Sequence, residues 1–451
     1  MISAPGLGSG LDVNSIVSQL MVIEQQPLVR LDQKEAAAQA EISSYGLLKS
    51  SLSSLQSSLD KLKDSDTYRA TKSTSSDTDV LTITSDAGVV TSTYDVEVNR
   101  LAQHHKLGSS EFASSATFGG AAGDELILTV GTDSFTLDLS SGMTLSEIQE
   151  AINDESNETD VVAGLITGDS GNQTLVLTAK DEGYDNRVQL SFGGTIDSST
   201  FNFSMLNKDD NDQVLASENE LDSSITVDGI AVTRSSNSID DAVDGLTFNL
   251  KAVGSSTVST SSDNSVAVAA VKGFVDAYNS LRTQLDQISS TASSSVIRGV
   301  ESQLRNVLNN ELSGLGEYSY ISELGVTTNS DTGKLEFDSE MLTDAMNEYP
   351  DSVRSFFTDE NSSFSEQMDT MLGKYLESGG IMDSIIDGAN SKVDSIERNR
   401  ESLERRIAAT EARYLKEYSA LDTLMASMTA TSNYLTTQLS SLSNLTLNNN
   451  S

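Results

Sequence analysis

VDSIERNRESLERRIAATEARYLKEYSALDTLMASMTATSNYLTTQLSSL, residues 393–442, decides the architecture. Val393, Ile407, Tyr414, Leu421, Met428, Leu435 and Leu442 fall on one seven-residue grid whose only polar member is Arg400. A strict heptad places apolar side chains on one stripe of a helix and winds that helix around a partner. A matching stripe lies near the other end of the chain, where Tyr45, Leu48, Leu52, Leu55, Leu59 and Leu62 repeat with three- and four-residue spacing. Between the two arms, residues 71–264 are rich in Thr, Ser, Val and Gly and alternate as strands do. The fold class that follows is α+β and multidomain: a helical coiled-coil base formed by the N- and C-terminal segments, with two inserted β-rich domains. Such a chain points to assembly rather than catalysis.

Working outward from the arms, Asp12 can cap a helix whose apolar face uses Ile16, Leu20 and Ile23, and Pro27 breaks or kinks it. The helix resumes through Leu28 and Leu31. Period-two segments at Val80–Thr84, Thr93–Val98, Val161–Thr167, Thr174–Ala179 and Arg187–Phe192 read as strands. Leu126–Val130 with Ser134–Leu139, and Ile225–Thr233 turning at Asp228-Gly229, read as hairpins, and Leu246–Val253 closes the β region. Thr144–Asn153 is a short amphipathic helix. Nesting then gives the expected domains: terminal leg helices at 1–42 and 420–451, a helical domain from 43–70 and 265–419, an inner β domain from 71–112 and 220–264, and an outer β domain at 113–219. The Gly-rich start and the polar end, Asn448–Ser451, should be flexible when free.

Composition sets the partners. The 67 Asp and Glu against 28 Lys and Arg give a net charge of −39, which repels phosphate backbones and anionic membranes. No nucleic acid and no membrane span are expected, and self-assembly must overcome repulsion with the help of salt. The absence of cysteine excludes disulfides and thiolate chemistry. The start lacks the basic residues of a cleaved signal, so export, if any, is expected by another route.

A search for chemistry returns little. His104 and His105 are adjacent, so on a strand they point to opposite faces; the expected reading is an exposed loop pair. Gly6, Gly8 and Gly10 lack the third glycine spacing of a dinucleotide loop, and Gly119-Gly120 with Gly123-Asp124 is a single out-of-register trace of a calcium β-roll. Asp209, Asp210 and Asp212 read as a solvated acidic loop, and the Asp331–Gly333 turn fails the EF-hand pattern. No catalytic residue, cofactor or metal ligand is assigned. The residues 12–31 and 421–445 are amphipathic with no third helix in view to cover them, which marks a partner surface. Its candidate contacts are Ile16, Leu20, Ile23, Leu28, Leu31, Leu421, Leu424, Met428, Leu435 and Leu442, with Met425 and Met428 adding pliable contacts.

The opening GLGSGLDVNSIVSQLM at Gly6–Met21, followed by Pro27-Leu28, resembles the start of the bacterial flagellar filament cap protein family. SIDDAVDGLTFNLKA at Ser238–Ala252, FVDAYNSL at Phe274–Leu281, LGVTTNSDTGKLEFDSEML at Leu324–Leu342 and RYLKEYSALDTLMASM at Arg413–Met428 resemble later blocks of that family, in its order. TLDLSSGMTLSEIQEAIND at Thr136–Asp154 resembles a motif shared by several flagellar axial proteins. The resemblance implies export through the flagellar channel without a cleaved signal peptide, and a few-copy ring at the extracellular filament tip. It also implies flagellin and an export chaperone as partners, with Arg413–Leu445 docking on both. One alternative, another axial protein (flagellin or hook–filament junction protein), shares helical ends around a β insertion; a second is a surface adhesin acting through the outer β domain.

Overall fold

The computed structural model describes the backbone of residues 12–154 and 160–447, and their side chains except Ser294 and residues 442–447. The Gly-rich start, the polar end and the Leu442 side chain lie outside this description. Along the chain come α1 (Val13–Glu24), α2 (Gln26–Lys63), β1 (Thr71–Ser75), β2 (Leu81–Ser85), β3 (Thr93–Arg100), β4 (His104–Gly108), β5 (Thr117–Phe118), β6 (Glu125–Val130), β7 (Asp133–Asp138) and β8 (Met143–Thr144). Then follow α3 (Leu145–Asp154), β9 (Val161–Thr167), β10 (Gln173–Glu182), β11 (Gln189–Gly193), α4 (Ser198–Phe201), β12 (Ser204–Met205), β13 (Ser223–Val227), β14 (Ile230–Arg234), β15 (Ser238–Val243), β16 (Leu246–Leu250) and β17 (Gly254–Ser262). The return is made by α5 (Ser265–Ile288), α6 (Ser294–Leu308), β18 (Val326–Thr328), β19 (Leu335–Phe337), α7 (Ser339–Glu348), α8 (Pro350–Thr358), α9 (Phe364–Leu376) and α10 (Ile381–Leu447). Two units result: one helical, from residues up to 65 and from 268 onward, and one of β-structure, residues 66–267.

In the helical unit the Asp12 carboxylate accepts from the Ser15 N–H at 3.0 Å and so starts α1. The helix breaks at Gln25, and Pro27 sits in the first turn of α2, where its missing N–H leaves no bond unmade. α2 and α10 run antiparallel. Lys49 pairs with Asp383 at 2.5 Å, Glu41 with Lys392 at 3.2 Å, and Asp32 with Arg400 at 2.7 Å, so one partner's number rises as the other's falls. Arg400 also meets Glu35, and these two carboxylates account for the one polar member of the heptad grid. Leu48, Leu52, Leu55, Leu59 and Leu62 are fully buried along this seam. On α10 the deepest side chains are Met382, Ala389 and Ile396, a second grid four residues ahead of Arg400 and its neighbours, so the two grids serve together as the a and d rows. α9 flanks α2, and its Asp369 accepts from Gln56 at 2.8 Å and pairs with Lys63. Phe274, Phe356, Phe357 and Phe364 fill the space behind it, with Phe274 and Phe364 edge to face at 5.3 Å.

The β unit holds two apolar cores. A five-stranded sheet, order β1-β17-β3-β13-β14, and a three-stranded sheet, order β15-β16-β2, enclose Leu81, Val96, Val98, Ile225, Phe248 and Val258. The second core belongs to a four-stranded sheet, order β12-β4-β10-β9, a three-stranded sheet, order β11-β6-β7, and α3. Here Leu126, Leu145, Ile148, Ile152, Leu175 and Phe201 are buried, and Phe118 stacks on Phe201 at 4.6 Å. The expected hairpins are present: β6–β7 close over Gly131-Thr132, where Gly131 has positive φ, and β13–β14 over Asp228-Gly229, where both residues do.

The region is not closed by Leu246–Val253. One further strand, β17, follows, and it pairs with both β1 and β3 near the middle of its sheet. Its sequence GSSTVSTSS buries a single large apolar side chain, Val258. The buried hydroxyls of Ser256 and Thr260 are satisfied instead, Ser256 by accepting from the Asp77 N–H at 3.0 Å and Thr260 by donating to the Val90 carbonyl at 2.8 Å.

Candidate docking surface on the terminal helix

α1 lies along α10, and its buried side is Val13, Val17 and Met21, packed with Ile407, Leu403, Tyr414, Leu415 and Tyr418. The Tyr414 hydroxyl reaches Glu24 at 3.3 Å. The expectation that residues 12–31 lack a covering helix therefore does not hold for α1. Its apolar face is also not Ile16, Leu20 and Ile23: the first two are half-buried and Ile23 is 64% exposed. The cause is local. α1 carries one wide apolar arc that runs from Ile23 through Ile16 and Leu20 to Val13, Val17 and Met21, so composition does not choose which part of it is buried; the Leu403–Tyr418 stretch of α10 does. Leu28 and Leu31 on α2 are half-buried, and Leu28 joins this cluster.

Beyond Tyr418 the heptad continues, but its apolar side chains are exposed, and among the described residues Asp422 alone is buried there. Leu421, Leu424, Met428 and Leu435 are 44%, 56%, 61% and 54% exposed, and Met425, Tyr434 and Leu439 are exposed beside them. The hydroxyls in between turn inward on the helix: Thr423, Thr431, Thr436 and Thr437 each donate to the carbonyl four residues back. From Thr423 to Ser451 the chain contains no Asp, Glu, Lys or Arg, in a protein of net charge −39. A partner that covers this stripe desolvates no ion and few unsatisfied hydroxyls, while it removes seven large apolar side chains from water. The loss of charge after Asp422 is legible in the sequence and marks the boundary of the surface more sharply than hydropathy does.

The polar candidates have other roles. His104 is exposed, but His105 is fully buried on β4, not in a loop: its Nδ1 accepts from the Val188 N–H at 3.0 Å and its Nε2 has no partner among the described residues. Burial holds its pKa below the usual histidine value, with Glu218 opposing and Arg187 adding to the effect. Asp209 closes its own turn, accepting from the Asn211 and Gln213 N–H groups at 2.9 and 2.8 Å, and those bonds lower its pKa. Asp212 pairs with Lys208 at 2.7 Å. Among the described residues no cluster of three acids or histidines could hold a metal ion, and no helix is long and apolar enough to cross a membrane.

Family comparisons agree with this layout. The model of the flagellar hook-associated protein 2 C-terminus matches residues 221–430, that of the N-terminus matches residues 9–105, and the flagellin hook IN motif matches residues 125–181. Flagellar hook-associated protein 2 of Escherichia coli K12 is 30% identical over 98% of this chain and 99% of its own length. This chain belongs to the flagellar hook-associated protein 2 family. An A-type hook-associated protein 2 of Pseudomonas aeruginosa is 27% identical over 98% of both chains. The crystal structure of the D1-D2-D3 domains of the flagellar cap protein FliD from Escherichia coli superposes with a TM-score of 0.65 at 27% identity, over 77% of this chain and 99% of that one. As in the family's two-part match, the residues that build the coiled-coil base of this member come from both ends, and the hook IN motif falls on β6 to β10.

Proposed function

We propose that this chain caps the distal end of a bacterial flagellar filament, as the hook-associated protein 2 and cap names of its relatives indicate. Several copies close into a ring, the α10 ends dock on flagellin, and the ring helps arriving flagellin to fold and insert while preventing its loss. The division of labour is by segment: residues 1–42 and 420–451 serve as legs, and the β unit forms the plate. Ile16, Leu20, Ile23, Leu28 and Leu31 contribute through their exposed parts, and Leu421, Leu424, Met428, Leu435 and Leu442 carry the principal contacts. An export chaperone covers the same stripe before secretion. The observation that supports this reading most is the uncharged, uncovered heptad stripe beyond Tyr418. A terminal helix whose end finds its cover only on a partner suits a cap that must stay attached while yielding to each new subunit.

The test is removal of residues 421–451 in a motile strain, with filament length measured by electron microscopy. The expected outcome is loss of filament elongation with the β unit still folded. Full-length filaments in the truncated strain would refute the assignment of the legs.

A further inference from the structure

The back of α10, turned away from α1 and α2, carries a row of bases. Residues 398–416 hold six Lys and Arg against three Glu, a net of +3 in a chain whose net charge is −39. At about 100° per residue, Arg398, Arg405, Arg406, Arg413 and Lys416 fall within roughly 100° of arc, on the side away from the buried Ile396 and Ile407. Glu401, Glu404 and Glu411 fall outside that arc. All five bases are exposed. Arg413 lies over the Tyr414 ring at 5.4 Å, and the other four pair with no carboxylate among the described residues. Arg400 differs: it turns toward α2, where Asp32 and Glu35 hold it. The row runs about 27 Å along the helix at 1.5 Å per residue.

The same helical unit carries an opposite surface. Residues 309–352 hold ten Asp and Glu against one Lys. Tyr318 and Tyr349 stand edge to face at 6.3 Å, and Tyr320 and Tyr349 are exposed. The Tyr320 hydroxyl bonds the Glu311 carboxylate, which raises its pKa, and Glu348 acts on the Tyr349 hydroxyl in the same way. Burial raises Tyr318, and after it the nearby Glu348, Tyr349, Glu317 and Glu323 raise it further. Arg354, next in sequence, is held by Asp351 at 2.8 Å. A guanidinium suits such a surface, because it stacks on tyrosine rings and bridges carboxylates with its planar fork.

We propose that the basic row of α10 docks on the tyrosine and glutamate face, residues 311–351, of a second copy of the chain. Each copy offers both halves at different places on one unit, so the contact is head to tail, the kind that closes into a ring when its rotation divides a full turn. Charge chooses the occupant. Phosphate backbones and anionic membranes are repelled by the rest of the chain, whereas a second copy brings the complementary face with it. The contact also offsets the repulsion that any close pair of these acidic chains must overcome. It names a surface for the ring of the cap reading and rests on that reading.

The test is carbodiimide cross-linking, which joins a lysine amine to a carboxylate only where the two touch. Full-length protein, unlabelled and isotope-labelled, is mixed in equal parts at about 0.1 M salt, where charges reach about 10 Å. Arg405→Lys with Arg406→Lys keeps the charge of the row and adds two amines beside Lys416. Mixed-isotope peptides that join these lysines to Glu311, Glu317 or Glu348 are the expected result. Arg405→Glu with Arg406→Glu, both exposed, should cut the links made by Lys416 about tenfold, the ratio that about 1.4 kcal/mol of pairing produces. Glu317→Lys with Glu348→Lys in the same chain should restore links between row and face. Same-isotope links alone, links that survive the first charge reversal, or no restoration by the second would each overturn the proposal. So would links from the row to flagellin, in place of a second copy, when purified filaments are added. If the links are missing while removal of residues 421–451 still stops filament elongation, the cap reading stands and this contact falls.

Discussion

Replacing Leu421 and Leu435 by Asp separates docking from folding. The two leucines are 44% and 54% exposed, so about half of each side chain remains for a partner to bury. A fully buried leucine contributes about 1.5–3 kcal/mol, so the two exposed halves together are worth roughly 1.5–3 kcal/mol of docking energy. The double variant should bind flagellar filaments roughly 10- to 150-fold more weakly in co-sedimentation, before any cost of covering the new carboxylates. Its folding cost is small, since Leu to Asp in an exposed helix loses about 0.5 kcal/mol per site in propensity. The melting transition of the helical unit should fall by no more than about 4 °C in calorimetry. Leu55→Ala is the counterpart. That side chain is fully buried on the same kind of heptad, and its truncation should cost about 2–5 kcal/mol. In a unit of this size the loss lowers the transition by roughly 4–20 °C. If the double Asp variant melts as low as Leu55→Ala, the stripe beyond Tyr418 is an internal core and the docking argument fails.

Two further outcomes concern the β unit. His105 is held neutral by burial, so its folded pKa lies below the unfolded value of about 6.5. Stability from this group is fully present above that pH and is lost as the pH falls below it, because the unfolded chain then takes up the proton first, at most about 1.4 kcal/mol per pH unit. Denaturant titrations at about pH 7.5 and 5.5 should show the loss, and His105→Gln, which keeps an acceptor for the Val188 N–H, should flatten it; an unchanged slope would clear His105 of the effect. Gly183→Ala should destabilise by about 1–3 kcal/mol or more. Its φ is +91° and the new Cβ would stand 2.3 Å from the Ser235 carbonyl oxygen. Gly229→Ala, at φ +82° with open space around it, should lose less in the same chemical denaturation followed by circular dichroism.

The helical base was legible because its signal is redundant: Leu48, Leu52 and Leu55 repeat on the grid that their burial then follows. Strands with alternating aliphatics were equally plain, and Val161–Thr167 is observed with the bounds its pattern implies. What escaped were strands whose place is fixed by partners. β17 is nearly all Ser and Thr, so hydropathy reads it as a linker, yet the Ser256 and Thr260 hydroxyls find acceptors and donors that only the assembled sheet supplies. β4 escaped for a related reason, since its inward residue is His105, a side chain that sequence reading places at the surface. For the docking surface the α10 half was visible as a heptad that outlasts its partner. The α1 half was not, because Val13, Ile16, Val17, Leu20, Met21 and Ile23 form one apolar arc wider than the contact, and only Ile407 and its neighbours decide which of them are buried.

α10 is one uninterrupted helix of 67 residues, about 100 Å of rod at 1.5 Å per residue. Its first half is clamped by α2 and α1, and the part beyond Tyr418 projects roughly 40 Å past that clamp. Such a cantilever amplifies. A tilt of about 5° at Tyr418, well within the gentle curvature that long helices adopt, swings the far end by roughly 4 Å. That is close to the width of one side-chain contact, so a slight flexing is enough to move the stripe from one set of partner side chains to the next without kinking or melting the helix.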